Sequence, residues 1–224
     1  MTGRVFLAGG GGAEASKPLD EQFAHAVGAG PMAYWPVAME PDRHVEAEEW
    51  LRDVYEPLGV RDISTWDGDI PPRFTGVRGI YIGGGNTYRL LALAQRFDLL
   101  DRLREYVAAG GMVFGGSAGA ALLGADISTV AHLDRNDDKV VDTAGADLAA
   151  GHAVFVHHAD GDLPREAVWT ATYRRPVLAL TEHANAIVAG NAVTAVGPDP
   201  VLLVSPSGRR KLAPGSTSYA GSPA

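Results

Sequence analysis

The sequence predicts an α/β architecture: a parallel sheet with helices on both faces, followed by a β-rich C-terminal part. Three observations carry this expectation. Short β-rich runs alternate with helical segments through the first half, the pattern of crossover connections between parallel strands. Three of the predicted strands run directly into glycine clusters, at Gly9–Gly12, Gly83–Gly85 and Gly115–Gly116. The chain has 224 residues, 46% of them hydrophobic, enough to bury a sizeable core. In such sheets ligands bind beyond the carboxyl ends of the strands.

Taken in order, Arg4–Ala8 reads as the first strand, and residues from about Pro18 to Val27 read as a helix. Ala33–Met39 is a second strand. Asp42 is placed to cap a helix over His44–Tyr55, with Glu46, Glu48 and Glu49 in its early turns. Asp62–Trp66 is a third strand, before a proline-rich loop at Asp69–Pro72, and Gly79–Ile82 is a fourth. One long helix is expected over Thr87–Ala108, because Leu90, Leu93, Phe97, Leu100, Leu103 and Val107 recur at spacings of three or four. Gly110-Gly111 ends it, and Met112–Phe114 is the fifth strand. The second half offers strands at Ala153–His158, Val177–Leu180, Ala184–Ala189, Ala192–Val196 and Val201–Ser205. The tight turn at Gly190-Asn191 suggests that the last of these form a meander. With no linker or internal repeat, residues 1–213 read as one domain. Residues 214–224, small and polar, read as a frayed tail.

Composition removes several classes of function. The net charge of -8 gives no electrostatic reason to expect nucleic acid or an anionic membrane as partner. No cysteine is present, which excludes disulfides, cysteine metal sites and a cysteine nucleophile. The N-terminus lacks the apolar run of a signal peptide, and no stretch approaches the length of a membrane span, so a soluble, cytoplasmic protein is expected.

The chemistry concentrates at Gly115-Gly116-Ser117-Ala118-Gly119, which fits G-x-S-x-G. After a strand and before a helix, that pattern is a nucleophile elbow, a sharp turn that pushes a serine hydroxyl out of the sheet. The hydroxyl needs a base, and the base an orienting partner. Of seven histidines, His25 and His44 lie in polar helical sequence, and His132 and His152 in loops. His157 and His158 end an apolar strand. Strand side chains alternate between faces, so only one of the two should reach Ser117. Glu182, after Val177–Leu180, is a reasonable orienter. Gly83-Gly84-Gly85-Asn86 closes a strand and opens a helix; its amides, with that of Ala118, can form an oxyanion hole. Gly9–Gly12 makes a poor dinucleotide fingerprint, and no phosphate-binding loop of the G-x-x-x-x-G-K-[ST] kind is present. Two rival constellations remain. Ser117, Asp160 and His183 follow the order of an α/β-hydrolase triad. His157, His158, Asp160, Asp162 and His183 include metal-ligand types, though without an H-E-x-x-H signature.

Tyr81-Ile-Gly-Gly-Gly-Asn-Thr-Tyr-Arg-Leu-Leu91 together with Gly115-Gly-Ser-Ala-Gly-Ala120 resembles the aspartyl dipeptidase (peptidase E) family of serine peptidases, to which cyanophycinases are related. The resemblance extends from Arg4 to about Val204. It implies a flavodoxin-like fold akin to class I glutamine amidotransferases, with serine in place of their cysteine. It also implies a Ser-His-Glu triad, no cofactor or metal, and dipeptides with N-terminal aspartate as substrates. Carried onto this chain, the nucleophile is Ser117, the histidine His158 and the acid Glu182. The usual proline before the histidine is here His157, which leaves the choice between the two neighbours open. Gly84, Gly85 and Ala118 are the expected oxyanion donors. Asn86, His157 and Arg165, with Arg89 as a further cation, are candidates for binding substrate. The implied partner is a small peptide, and the protein is expected as a monomer or homodimer. A binding protein of the same fold, without turnover, is the non-enzymatic alternative.

Overall fold

The computed structural model describes residues 3–220. An eight-stranded sheet has the order β12-β9-β8-β1-β5-β4-β2-β3. Its parallel half comprises β1 (Arg4–Ala8), β5 (Met112–Gly116), β4 (Gly79–Ile82), β2 (Met32–Trp35) and β3 (Ile63–Thr65). β8 (Asn185–Ala189), β9 (Ala192–Val196) and β12 (Thr217–Tyr219) extend it in antiparallel fashion. A second sheet holds β11 (Gly208–Leu212), β10 (Val201–Ser205), β7 (Val177–Ala179) and β6 (Ala153–Phe155), with β6 and β7 parallel. The expected α/β sheet with a β-rich C-terminal part is therefore present.

Three apolar clusters separate the layers. One face of the large sheet, with Phe6, Tyr34, Tyr81 and Phe114, packs on α1 (Gly12–Val27) and α2 (His44–Tyr55). The other face, with Val5, Leu7, Ile80 and Val113, meets α3 (Thr87–Arg96), α4 (Leu99–Ala108) and α5 (Ala118–Leu123). Val154 and Leu178 of the second sheet, with Val156 and Leu180 just past its strands, join that same cluster. The outer face of the second sheet, including Phe155 and Ala179, is covered by Trp169 of α6 (Leu163–Tyr173). No described helix is long and apolar enough to cross a membrane.

Several boundaries differ from the sequence reading, each for a local reason. Helix α1 begins at Gly12 rather than Pro18 and carries Pro18 inside it. β2 stops at Trp35 because Pro36 has no N–H for the ladder. The helix expected over Thr87–Ala108 is two helices. Asp98 adopts φ 54° between them, and Phe97 packs edge-on to Trp66. Asp42 sits in a 3-10 turn, Pro41–Arg43, and does not cap α2. The expected meander is split: β8 and β9 form a hairpin in the large sheet, while β10 pairs with β7 and β11 in the other. The tail expected to fray from Pro214 instead returns as β12. Its backbone satisfies the free edge of β9: Ala195 N–H donates to Ser216 O at 3.0 Å, and Ala220 N–H to Asn191 O at 2.8 Å. Residues 221–224 of that tail lie outside the described residues.

Candidate active site

A sharp turn joins β5 to α5 at Ser117. Ser117 has φ 50° and ψ −108° between the end of β5 and the start of α5, and its N–H donates to Ala8 O at 3.1 Å. Such a backbone is strained for any residue with a side chain. The flanking glycines hold it by close approach. A Cβ on Gly115 would lie 2.5 Å from the Gly119 carbonyl carbon, and one on Gly119 would lie 2.4 Å from Ile82 O.

Three loops converge on Ser117. His157 N–H donates to Gly9 O at 3.0 Å, and His158 N–H to Leu180 O at 2.9 Å. This ties the end of β6 to the glycine loop after β1 and to the end of β7. In this frame His157 Nε2 lies 2.8 Å from Ser117 Oγ, and His157 Nδ1 lies 3.2 Å from Glu182 Oε1. A carboxylate only accepts, so the imidazole proton sits on Nδ1 and leaves Nε2 to accept from the serine hydroxyl. Gly10 makes room for the ring: a Cβ there would stand 2.3 Å from His157 Cε1. Gly11 does the same for Glu182, at 2.9 Å from its Cβ.

His158, the histidine carried over from the family pattern, does not reach the serine. His157 takes a left-handed φ of 52°, which interrupts the strand alternation between the two neighbours. His158 turns instead to α6, where its Nδ1 lies 2.6 Å from Oε1 of the fully buried Glu166. The Glu166 carboxylate raises the His158 pKa against the opposing effect of burial.

The remaining expected site residues divide. Gly84 lies beside the serine, where a Cβ would be 3.4 Å from Ser117 Cβ. Among the described residues no acceptor pairs with its N–H. Ala118 is the first residue of α5, so its N–H has no helical acceptor. Gly85 turns away: with φ 135°, it packs on Ala38, whose carbonyl oxygen would be 2.3 Å from a Cβ. Asn86 is consumed by structure. Its Oδ1 accepts from Arg89 N–H at 3.0 Å, its Nδ2 donates to Arg135 O at 2.9 Å, and its N–H donates to Ala38 O at 2.8 Å. Arg165 of α6 pairs with Asp162, in the turn before that helix, and is absent from the cleft around Ser117, and Arg89 pairs with Glu40. The five residues of the possible metal set do not converge: no three His, Cys, Asp or Glu side chains among the described residues could hold an ion together.

The cleft itself, about 380 Å³, shows what the sequence reading missed. Gly10, Gly11, Gly12 and Gly84 line it beside Ser117 and His157. Its other wall is α2 and the turn before it, through Arg43, Glu46 and Trp50. Its floor is Tyr34 and Tyr81, with Tyr81 stacked on Phe114 at 4.4 Å. The Tyr34 hydroxyl is buried and has no hydrogen-bond partner among the described residues. Burial raises its pKa, keeping it a donor. Ser16, also lining the cleft, donates to the buried Asp20 at 2.7 Å, and Tyr55 donates to the same carboxyl at 2.6 Å. The one signal for this wall was Arg43 and Glu46 at helical i,i+3 spacing, which reads equally as a surface pair.

Known proteins resemble this chain at two levels, fold and sequence. A peptidase from an acI-B1 Actinobacterium superposes with a TM-score of 0.74 at 18% identity, covering 98% of this chain and 97% of that one. A peptidase E candidate from Listeria monocytogenes EGD-e gives 0.72 at 18% identity, over 88% of this chain and 99% of that one. At those identities the likeness is one of fold. Peptidase E of Shewanella sp. (strain W3-18-1) is 51% identical over 51 residues, 23% of this chain and 22% of the relative. Peptidase E of Actinobacillus pleuropneumoniae serotype 5b (strain L20) is 50% identical over 50 residues, 22% and 21% of the two chains. The matched stretch thus spans about a fifth of those relatives. The profile of Peptidase family S51 covers far more, residues 5–196, and on that match the chain belongs to Peptidase family S51.

Proposed function

We propose that this chain is a serine peptidase that hydrolyses short peptides, with dipeptides carrying N-terminal aspartate as the favoured substrates. The observation that carries the reading is the Ser117 Oγ to His157 Nε2 contact of 2.8 Å, with His157 Nδ1 turned to Glu182. His157 takes the proton from Ser117 as the oxygen attacks the peptide carbonyl. The amides of Gly84 and Ala118 stabilise the oxyanion, and Glu182 supports the charged imidazolium. His157 then returns its proton to the leaving amine, and an acyl group remains on Ser117. A water, deprotonated by His157, releases it and restores the serine. His157 therefore replaces His158 as the base, and Gly84 is the oxyanion donor preferred over Gly85. The Asp-X preference rests on the family resemblance and on the single arginine in the cleft wall.

The test is release of free amino acids from a panel of dipeptides, Asp-Leu among them. Ser117→Ala and His157→Ala are each expected to lose about 10³-fold or more in kcat/KM, and Glu182→Gln less. Full activity in either of the first two variants would overturn the reading.

A further inference from the structure

Arg43 and Glu46 line the same cleft as Ser117, and their one side-chain partner among the described residues is each other. They sit three residues apart, at the end of the Pro41–Arg43 turn and in the first turn of α2. The separation of 3.7 Å leaves a loose pair, with side chains 63% and 77% exposed. Such a pair contributes little to stability, so each member exchanges partners at low cost. Nearby arginines are committed elsewhere: Arg52 to Glu48 and Glu56, Arg89 to Glu40. Among the described residues, Arg43 is the one arginine or lysine in the cleft lining, and Glu46 is the one carboxylate. The rest of that wall and floor is neutral: Met39, Ala47, Trp50, Tyr34 and Tyr81.

A ligand that satisfies both charges has an ammonium and a carboxylate on neighbouring carbons. The amino-terminal residue of Asp-X has this arrangement, its α-ammonium and β-carboxylate being three bonds apart. We propose that Arg43 and Glu46 clamp that residue, Glu46 holding the α-ammonium and Arg43 the β-carboxylate, with the unpartnered Tyr34 hydroxyl available as a further donor. The four charges then alternate in sign, and the guanidinium can meet the carboxylate with two parallel hydrogen bonds. The clamp rests on the serine peptidase reading above and explains two selectivities at once: a free amino terminus, and an acidic first side chain. A substrate with either group masked leaves one member of the pair facing the wrong charge or none.

The experiment compares kcat/KM for Asp-Leu, Asn-Leu and N-acetyl-Asp-Leu in the wild type, Arg43→Gln and Glu46→Gln. The wild type should favour Asp-Leu over Asn-Leu by about tenfold or more, the size of a charged hydrogen bond. Arg43→Gln should bring that ratio near one. Glu46→Gln should shrink the advantage of the free over the acetylated amine while leaving a preference for Asp over Asn. An unchanged Asp-Leu to Asn-Leu ratio in Arg43→Gln, or an unchanged advantage of the free over the acetylated amine in Glu46→Gln, overturns the clamp, as does a wild type that cleaves Asp-Leu and Asn-Leu equally. A wild type that cleaves none of the three but is labelled at Ser117 by a fluorophosphonate overturns the clamp and leaves a serine hydrolase. No cleavage and no labelling overturn both.

Discussion

Gly10 decides where the His157 ring can lie. Any Cβ at this position would occupy the ring's own space, 2.3 Å from Cε1, and the backbone φ of 134° is itself one that side chains rarely adopt. Gly10→Ala should therefore displace the imidazole from Ser117 and cost at least about 10²-fold in kcat/KM, because catalysis falls steeply with sub-ångström misplacement. A variant with native circular dichroism and wild-type kcat/KM would show that the glycine loop does not position His157. This role was invisible in the sequence, where Gly9–Gly12 read as a poor dinucleotide fingerprint or as the oxyanion loop of the α/β-hydrolase alternative. Ser117, by contrast, was legible at once. A strand, two glycines, a serine and small residues form a local pattern, while the φ of 50° is also held by Ala8 and Ile82 of the neighbouring strands.

At the level of elements, the end of β6 distributes two adjacent histidines between two tasks. His157 goes to the serine, and His158 pins α6 through Glu166. Removing His158 would leave a fully buried carboxylate without its cation, so His158→Ala should destabilise the fold by about 3 kcal/mol. The activity of the molecules that remain folded should stay close to wild type. The His158 pKa is raised in the folded state, so the pair contributes most below the ordinary histidine value. Its contribution is lost as pH rises through the raised value. Urea unfolding of wild type and variant at several pH values checks this: the gap should narrow toward alkaline pH, and a gap that widens would refute it. Element types were largely readable from periodicity and glycine punctuation, and α2, β4, β9 and β10 have the expected bounds. What failed were continuations. The apolar repeat runs through Phe97-Asp98 without interruption, yet Asp98 turns the chain. The tail looked too small and polar to order, yet β9 offers it an edge. Both outcomes depend on a partner distant in sequence.

At the scale of the whole molecule, the cleft lies where the α1–α2 layer meets the carboxyl ends of the parallel strands, above a buried acid. Asp20 is 1% exposed, and desolvation pushes its pKa up to about 6 against the lowering effect of the Tyr55 and Ser16 hydrogen bonds. An unfolded aspartate titrates near 3.8, so the folded state binds the proton more tightly. The contribution of Asp20 to stability should therefore fall as pH rises from about 4 to about 6, by up to about 3 kcal/mol. Asp20→Asn should remove that slope, so its stability relative to wild type should climb across the interval. Parallel curves for the two proteins in chemical denaturation would refute the assignment. The sequence by itself determined the α/β class, the strand-to-helix turn that carries Ser117 and the glycines beside it, because each is written in neighbouring residues through backbone sterics and hydrophobic period. Only the tertiary structure decided which histidine faces Ser117, which glycine carries the free amide and which charges line the cleft. Those choices depend on how the loops after β1, β4, β6 and β7 approach one another, and packing between distant segments sets that approach.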